Sequence, residues 1–119
     1  MVQIAHVRKS AFDVYIGRQF AEFAHSPFCN PFHVGKHGSR TDVLLLFAEY
    51  WYAPEQKTLR NMAVLNLSSK TLGCWCKPLP CHGDIIAGYV EAKTHFFGTL
   101  LGEKVDYLDL SSIPVRTDI

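Results

Sequence analysis

The segment from Leu72 to Val90 places the strongest constraint on how this chain folds. Its first part, Leu72-Gly73-Cys74-Trp75-Cys76, predicts a buried strand that stops at Lys77-Pro78. After a short loop, a helix is predicted to begin at Asp84. Four apolar residues of this helix recur at helical spacing: Ile85, Ile86, Tyr89 and Val90. The segment therefore predicts a strand followed closely by an amphipathic helix.

Further strands are predicted elsewhere in the chain. Val2 and Ile4 predict a short opening strand, and the β-branched and aromatic residues of 12–17 predict another. The segment 18–40 contains several prolines and glycines, which predicts a long loop with at most one or two helical turns. Alternation over 104–108 indicates a last edge strand.

Two helices are predicted in the middle of the chain. Ser39 and Asp42 have the spacing of a capping box, so a helix is expected from there to about Tyr52. The residues that follow the box are apolar almost all round, which predicts a largely buried helix. Pro54 suits the first turn of a shorter helix that ends at about Leu65.

The order of these elements predicts the fold class. Strands that alternate with helices imply a mainly parallel sheet covered by helices. We expect a small three-layer, Rossmann-like α/β domain over residues 1–95, with three to four strands. Residues 96–119 are expected to form a C-terminal extension that packs on the domain or trails it.

Size and charge exclude several classes of protein. The 119 residues suffice for one compact domain, and 48% of them are hydrophobic, as in an ordinary globular protein. A net charge of +1 gives no general attraction for nucleic acid, so any anion must be recognised locally. No apolar run is long enough for a signal peptide or a membrane span. We therefore expect a cytoplasmic protein with no membrane partner, and the oligomeric state is left open.

A cluster of cysteines and a histidine is the first candidate site. Cys74, Cys76, Cys81 and His82 supply three thiols and an imidazole, the ligand types that tetrahedral zinc prefers. Their spacing is tighter than that of the usual zinc knuckle. Cysteines in a buried strand also occur simply as small apolar residues, and this alternative stays open.

The same segment also fits nucleophilic catalysis. Cys81 lies just before a predicted helix N-terminus, where the helix dipole and the free amides favour a thiolate. His82 and Asp84 stand beside it and are candidates for moving a proton. We therefore regard Cys81, His82 and Asp84 as the candidate catalytic residues, as an alternative to the zinc site.

A second candidate site lies between the second strand and the helix that opens at Ser39. Arg18 follows the strand directly, and Asn30, Lys36 and Arg40 lie in the loop and at the helix start. Amides at a helix N-terminus and cationic side chains together bind anions, and α/β ligand sites gather at strand ends. A solvated loop before a well-capped helix explains the same pattern.

The ordered motifs resemble one family. They are Phe12-Asp13-Val14-Tyr15-Ile16-Gly17-Arg18, Asn30-Pro31-Phe32, Gly35-Lys36, Gly38, Arg40, Leu72-Gly73-Cys74-Trp75-Cys76-Lys77-Pro78 and Cys81-His82-Gly83-Asp84. Over residues 6–93 the chain is similar to small bacterial and bacteriophage proteins grouped as domain of unknown function 4326. The resemblance implies phage or bacterial origin and a compact α/β fold, and no reaction. Family members often carry Trp-Gly where this chain has Phe28-Cys29, which argues against Cys29 as part of a shared metal site.

Three functions follow from these features. The first is an enzyme that binds a nucleotide-like, phosphate-bearing small molecule and cleaves or transfers at a glycosidic bond. The second is a zinc-stabilised binding module without catalysis, which acts on a host partner. The third is a phage protein that sequesters a small nucleotide. The sequence leaves open which of these applies and whether there is turnover at all.

Overall fold

The protein is a small α/β fold, described by a computed structural model for residues 2–101, with side chains to residue 94. The strands are β1 (Gln3–His6), β2 (Val14–Tyr15) and β3 (Thr71–Cys74). The helices are α1 (Arg40–Tyr52), α2 (Lys57–Leu67) and α3 (His82–Leu101), and a single 3-10 turn at Pro54–Gln56 precedes α2.

The three described strands form one parallel sheet in the order β1-β3-β2. Gln3 pairs with Thr71 on one side of β3, and Val14 pairs with Leu72 on the other. The predicted parallel sheet with flanking helices is therefore confirmed. Because all three strands run the same way, their carboxyl ends meet at one edge of the sheet.

The two faces of the central strand β3 have different neighbours. Leu72 and Cys74 are at most 1% exposed and belong to the main hydrophobic core. Gly73 points the other way, and a Cβ on it would lie 2.5 Å from the Phe12 ring. The core is built from all three helices and the sheet, and its largest fully buried members are Ile16, Phe47, Trp51, Leu67, Leu72 and Ile86.

The start of α1 is fixed by the capping box that the sequence predicts. Ser39 Oγ accepts a hydrogen bond from the Asp42 amide, and the Asp42 carboxylate accepts one from the Ser39 amide at 2.9 Å. Gly38 precedes the box at φ +121°, and a Cβ there would lie 2.6 Å from Asp42. Glycine is therefore required for the chain to enter this helix.

The helix α1 is less buried than the sequence predicts. Val43, Phe47 and Trp51 are its buried residues, whereas Leu45 is 62% exposed. At its end, the buried Arg60 of α2 donates from Nη1 to the carbonyls of Trp51 and Ala53, the latter at 2.8 Å. One face of α1 is thus in the core, and its last carbonyls are held by a cation.

Other predicted elements differ in detail. Strand β2 has two residues where six were expected, and α2 extends two residues beyond Leu65. In the segment 18–40, an antiparallel bridge joins Phe20 to Phe23 in place of a helical turn, with Ala21 at φ +52°.

The C-terminal predictions fall partly outside the described residues. Helix α3 continues across the expected boundary at residue 95 to Leu101. The predicted strand at 104–108, and most of the predicted extension, lie outside the described residues. Within residues 2–101, no helix is both long and apolar enough to cross a membrane.

Candidate functional site

A cavity of about 440 Å³ opens at the carboxyl ends of the strands. Four separate segments of the chain line it, at positions 15–20, 30–34, 40–44 and 74–82. We call it the strand-end cavity. The topology explains its place, because β2 and β3 both end there and the N-termini of α1 and α3 begin there. Residues from both candidate sites of the sequence therefore line one cavity.

Three cysteines lie together in this cavity. Cys74 Sγ and Cys81 Sγ are 3.4 Å apart, and both lie close enough to Cys76 to influence the pKa of its thiol. Cys74 and Cys81 are at most 2% exposed, whereas Cys76 is half-buried. All three are free thiols. The strand ends at Cys74, so the sulfur of Cys76 reaches the others from the loop that follows.

Cys76 has an electrostatic environment different from that of its two neighbours. Hydrogen bonds from Cys74 and Cys81, and then the nearby Arg40 guanidinium, hold the pKa of the Cys76 thiol well below its usual value. The pKa of Cys74 is raised by its hydrogen bond to Cys76. The pKa of Cys81 is raised by its hydrogen bonds to Cys74 and Cys76. A single negative charge in this cluster therefore belongs on Cys76.

His82 is held by the protein backbone. Its Nε2 lies 2.8 Å from the carbonyl oxygen of Ile16, and the residue is 7% exposed. Burial lowers the pKa of the imidazole. The ring lines the strand-end cavity and packs edge-on against Phe47. A neutral His82 whose Nε2 donates to a carbonyl joins α3 to the end of β2.

Asp84 caps the start of α3 and does not line the described cavity. Its carboxylate accepts a hydrogen bond from the Cys81 amide at 3.0 Å, and its other oxygen lies 3.3 Å from Lys77 Nζ. The Asp84 amide in turn bonds the Cys81 carbonyl. The structure therefore brings Cys81 and His82 to the cavity wall and places Asp84 behind them.

Arg18 and Arg40, the two arginines among the predicted anion-binding residues, both line the cavity. Arg18 Nη1 donates to the Asn30 carbonyl at 2.9 Å, and Arg40 approaches Cys76 from the first turn of α1. An arginine has five N–H donors, so one backbone contact leaves most of the guanidinium for other partners. Lys36 is exposed and lies outside the cavity lining.

Asn30 organises the loop between the two arginines. It is 7% exposed, its Oδ1 accepts from the Phe32 amide at 2.9 Å, and its Nδ2 donates to the Val43 carbonyl. The side chain therefore ties the loop to α1. In this arrangement Asn30 shapes the cavity through its backbone contact to Arg18.

Aromatic side chains form a part of the wall that the sequence analysis missed. Phe20, 60% exposed, packs edge-on against Trp75 with ring centres 5.2 Å apart. Trp75 Nε1 donates to Tyr15 Oη at 2.8 Å, which fixes the indole plane. Phe32 also lines the cavity. An exposed phenylalanine in the loop directly after a strand was the available signal.

The metal hypothesis gains no support from the geometry. Among residues 2–101, no group of three or more Cys, His, Asp or Glu side chains is arranged to hold a metal ion. The Nε2 atom of His82 is engaged by the Ile16 carbonyl, and Cys74 Sγ and Cys81 Sγ are in hydrogen-bonding contact at 3.4 Å. Zinc binding by Cys74, Cys76, Cys81 and His82 remains an untested prediction.

The fold and the cavity define a small α/β domain with a cysteine cluster at the ends of its parallel strands. Comparison with known proteins gives the family: residues 2–92 match the Domain of unknown function (DUF4326), and the chain belongs to that family. It is 37% identical over 93 residues to a protein of Enterobacteria phage T4 described as an uncharacterized 12.4 kDa protein in the nrdA-td intergenic region. The match covers 76% of this chain and 79% of that protein. No solved structure matches the chain.

Proposed function

We propose that this protein binds a small phosphate-bearing molecule of the nucleotide class in the strand-end cavity. One observation carries the proposal: Arg18 and Arg40 approach a single cavity from different segments, beside the N-terminus of α1. Guanidinium groups and helix N-termini both favour phosphate. The cavity of about 440 Å³ is of the size that small-molecule sites have.

The charges around the cavity favour an anion. The pKa of His33 is lowered, first by the positive charge of Arg18 and then by partial desolvation, His37 and Lys36. Arg18 and Lys36 therefore lie close enough to His33 to oppose a positive charge on it, in a protein whose net charge is only +1. Lys36, although outside the cavity lining, thus contributes to the field that an incoming phosphate meets.

The aromatic wall favours a ligand with a flat, apolar part. Phe20, Phe32 and Trp75 line the same cavity as the two arginines. A nucleobase stacks on such rings while its phosphate contacts the cations. A free phosphate ion alone would leave this wall without a partner, so a nucleotide fits better than an inorganic anion.

Calorimetric titration with the four ribonucleoside 5′-monophosphates and the matching nucleosides tests the proposal. We expect at least one monophosphate to bind about tenfold or more tightly than its nucleoside, since charge-assisted hydrogen bonds to phosphate contribute about 1.5–3 kcal/mol. Arg18→Met and Arg40→Met should each remove most of this preference. The test is sensitive to salt, so it is run at fixed ionic strength.

Lys9→Met is the matched control, because Lys9 is exposed and lies outside the strand-end cavity. It removes one positive charge and should leave the affinity unchanged. Wild-type protein that binds no monophosphate at millimolar concentration contradicts the proposal. So does an equal loss of affinity in Lys9→Met, which would mean unspecific attraction.

Cleavage or transfer at a glycosidic bond is the more specific form of this proposal. Its support is the position of Cys81 and His82 in the cavity wall. Chromatography of the bound nucleotide after incubation detects free base if the bond is cleaved. Binding without any release of base favours the sequestering protein, which has the same site and no turnover.

A further inference from the structure

Three cysteines and two arginines line the strand-end cavity. Cys74 and Cys81 are almost fully buried, and their sulfurs are 3.4 Å apart. Cys76 lines the same cavity and is half-buried, so it is the most exposed of the three cysteines. The arrangement has one outer sulfur and two inner ones.

The outer sulfur is the one in contact with a cation. Arg40 lines the same cavity from the start of α1, and its guanidinium is close enough to lower the pKa of the Cys76 thiol. A half-buried sulfur that lines the cavity is accessible to a ligand there, and a nearby guanidinium favours a negative charge on it. Neither inner sulfur combines this contact with access to the cavity.

We infer that Cys76 is the nucleophile of the strand-end cavity and attacks an electrophilic carbon on the anionic ligand held by Arg18 and Arg40. This inference rests on the proposed function for the nature of the ligand. In the step, a lone pair of the Cys76 sulfur forms a new S–C bond. The bond from that carbon to its leaving group breaks, and the leaving group departs with the bonding pair.

The inner cysteines are positioning residues in this scheme. Both lie close enough to Cys76 to stabilise a negative charge on its sulfur. Cys81 is itself fixed by Asp84, which accepts a hydrogen bond from its amide. The reacting group is therefore the sulfur of Cys76. Cys81, whose place before a helix suggested a nucleophile, instead supports Cys76.

Alkylation with two matched reagents tests this assignment. Iodoacetamide and iodoacetate react at the same carbon and release the same iodide, and only iodoacetate carries a negative charge. Peptide mass mapping over time should find Cys76 as the first residue modified by iodoacetamide, about tenfold or more faster than free cysteine. Relative to free cysteine, iodoacetate should be favoured over iodoacetamide by about tenfold.

Variants separate the roles of the residues. Cys76→Ser should abolish the fast phase, whereas Cys29→Ser, a change at a buried cysteine outside the cluster, should keep it. Cys81→Ala should slow modification at Cys76 several-fold, and Cys81→Ser, which keeps a donor, should restore most of the rate. Arg40→Met should reduce the iodoacetate preference more than the iodoacetamide rate.

The inference and the proposed function fail in distinguishable ways. Fast modification of Cys74, Cys81 or Cys29 ahead of Cys76, or no cysteine faster than free cysteine, overturns the nucleophile assignment. Fast iodoacetamide reaction at Cys76 with no iodoacetate preference, and no protection by nucleoside monophosphates, supports the nucleophile and contradicts the phosphate site. The mapping uses wild-type protein, so a variant that fails to fold does not affect it.

Discussion

The imidazole of His82 is joined to the carbonyl oxygen of Ile16 across 2.8 Å, which ties the start of α3 to the end of β2. Both residues are buried, with Ile16 at 0% and His82 at 7% exposure. The contact holds together two walls of the strand-end cavity. It also makes the stability of the fold depend on the protonation of one side chain.

Stability should fall as the pH drops below about 6.5, the ordinary pKa of histidine. The pKa of His82 is lowered, chiefly by burial and also by Arg18, against opposing contributions from the Ile16 carbonyl, Cys76 and the Phe28 carbonyl. In this range the unfolded chain binds a proton that the folded chain does not, so acid favours unfolding, by at most about 1.4 kcal/mol per pH unit.

Urea unfolding of wild type and His82→Gln between pH 5 and 7.5 measures this effect. Glutamine keeps a side-chain donor and does not titrate, and the other histidines are the same in both proteins. The variant should be less stable at pH 7.5 and should lose less stability on acidification. Parallel pH dependences in the two proteins would contradict the assignment.

Asp84→Ala should lower the free energy of unfolding by about 1 kcal/mol, the usual contribution of a side chain that caps a helix. The alanine side chain leaves the Cys81 amide without its acceptor. Asp84→Asn keeps an oxygen acceptor and should lose less. Affinity for nucleoside monophosphates should stay within about twofold in both variants, because Asp84 lies behind the cavity wall. A large loss of affinity at unchanged stability would argue for a direct role.

Gly73→Ala should destabilise the protein by about 1–3 kcal/mol, the range for overpacking. The new Cβ would lie 2.5 Å from Phe12 Cδ2 and 2.6 Å from Phe12 Cγ, atoms near the base of a ring that has to move as a whole. The double variant Gly73→Ala/Phe12→Leu should recover part of the loss. Thermal unfolding followed by circular dichroism measures all of these variants.

Gly88→Ala is the control for the glycine substitution. Gly88 lies on the exposed side of α3, and a Cβ there meets nothing within 4 Å. Alanine should stabilise this helix by up to about 1 kcal/mol, since it has the higher helix propensity. Equal losses in both alanine variants would show that space around Gly73 is not the cause.

Arg60→Met should cost about 2–3 kcal/mol, because the guanidinium holds the carbonyls of Trp51 and Ala53 at the end of α1 in a buried setting. Arg8→Met is the comparison. Arg8 pairs with Glu22 at 2.8 Å, but both side chains are at least half exposed. Exposed ion pairs contribute little, so its loss in urea unfolding should be much smaller than that of Arg60→Met.

Local sequence patterns predicted the elements that local interactions determine. The Ser39 and Asp42 box depends on residues within one turn, and the structure confirms it. The predicted strand before Lys77 and helix near Asp84 are also present, as β3 and α3. The apolar run of α1 was less informative, because hydrophobicity alone does not tell which of its residues lacks a neighbour. Leu45 belongs to this apolar run and is nevertheless exposed.

The sequence did not predict how the residues of the candidate site are arranged relative to one another. That Arg40 contacts Cys76 depends on how α1 packs at the end of β3, and no local pattern encodes this long-range contact. The position of Asp84 depends on which way its side chain turns, back to the Cys81 amide or out to the cavity. Phe20 reaches the cavity through the bridge at Phe23, which replaced a predicted helical turn.

The strand-end cavity is assembled from four segments that are distant in the chain. An unfolded chain therefore has no binding site, and any molecule that occupies the cavity shifts the folding equilibrium toward the native state. A ligand at 100 times its dissociation constant adds about 2.7 kcal/mol of stability. A melting-temperature screen of metabolite libraries can thus find the natural ligand without any assumption about its chemistry.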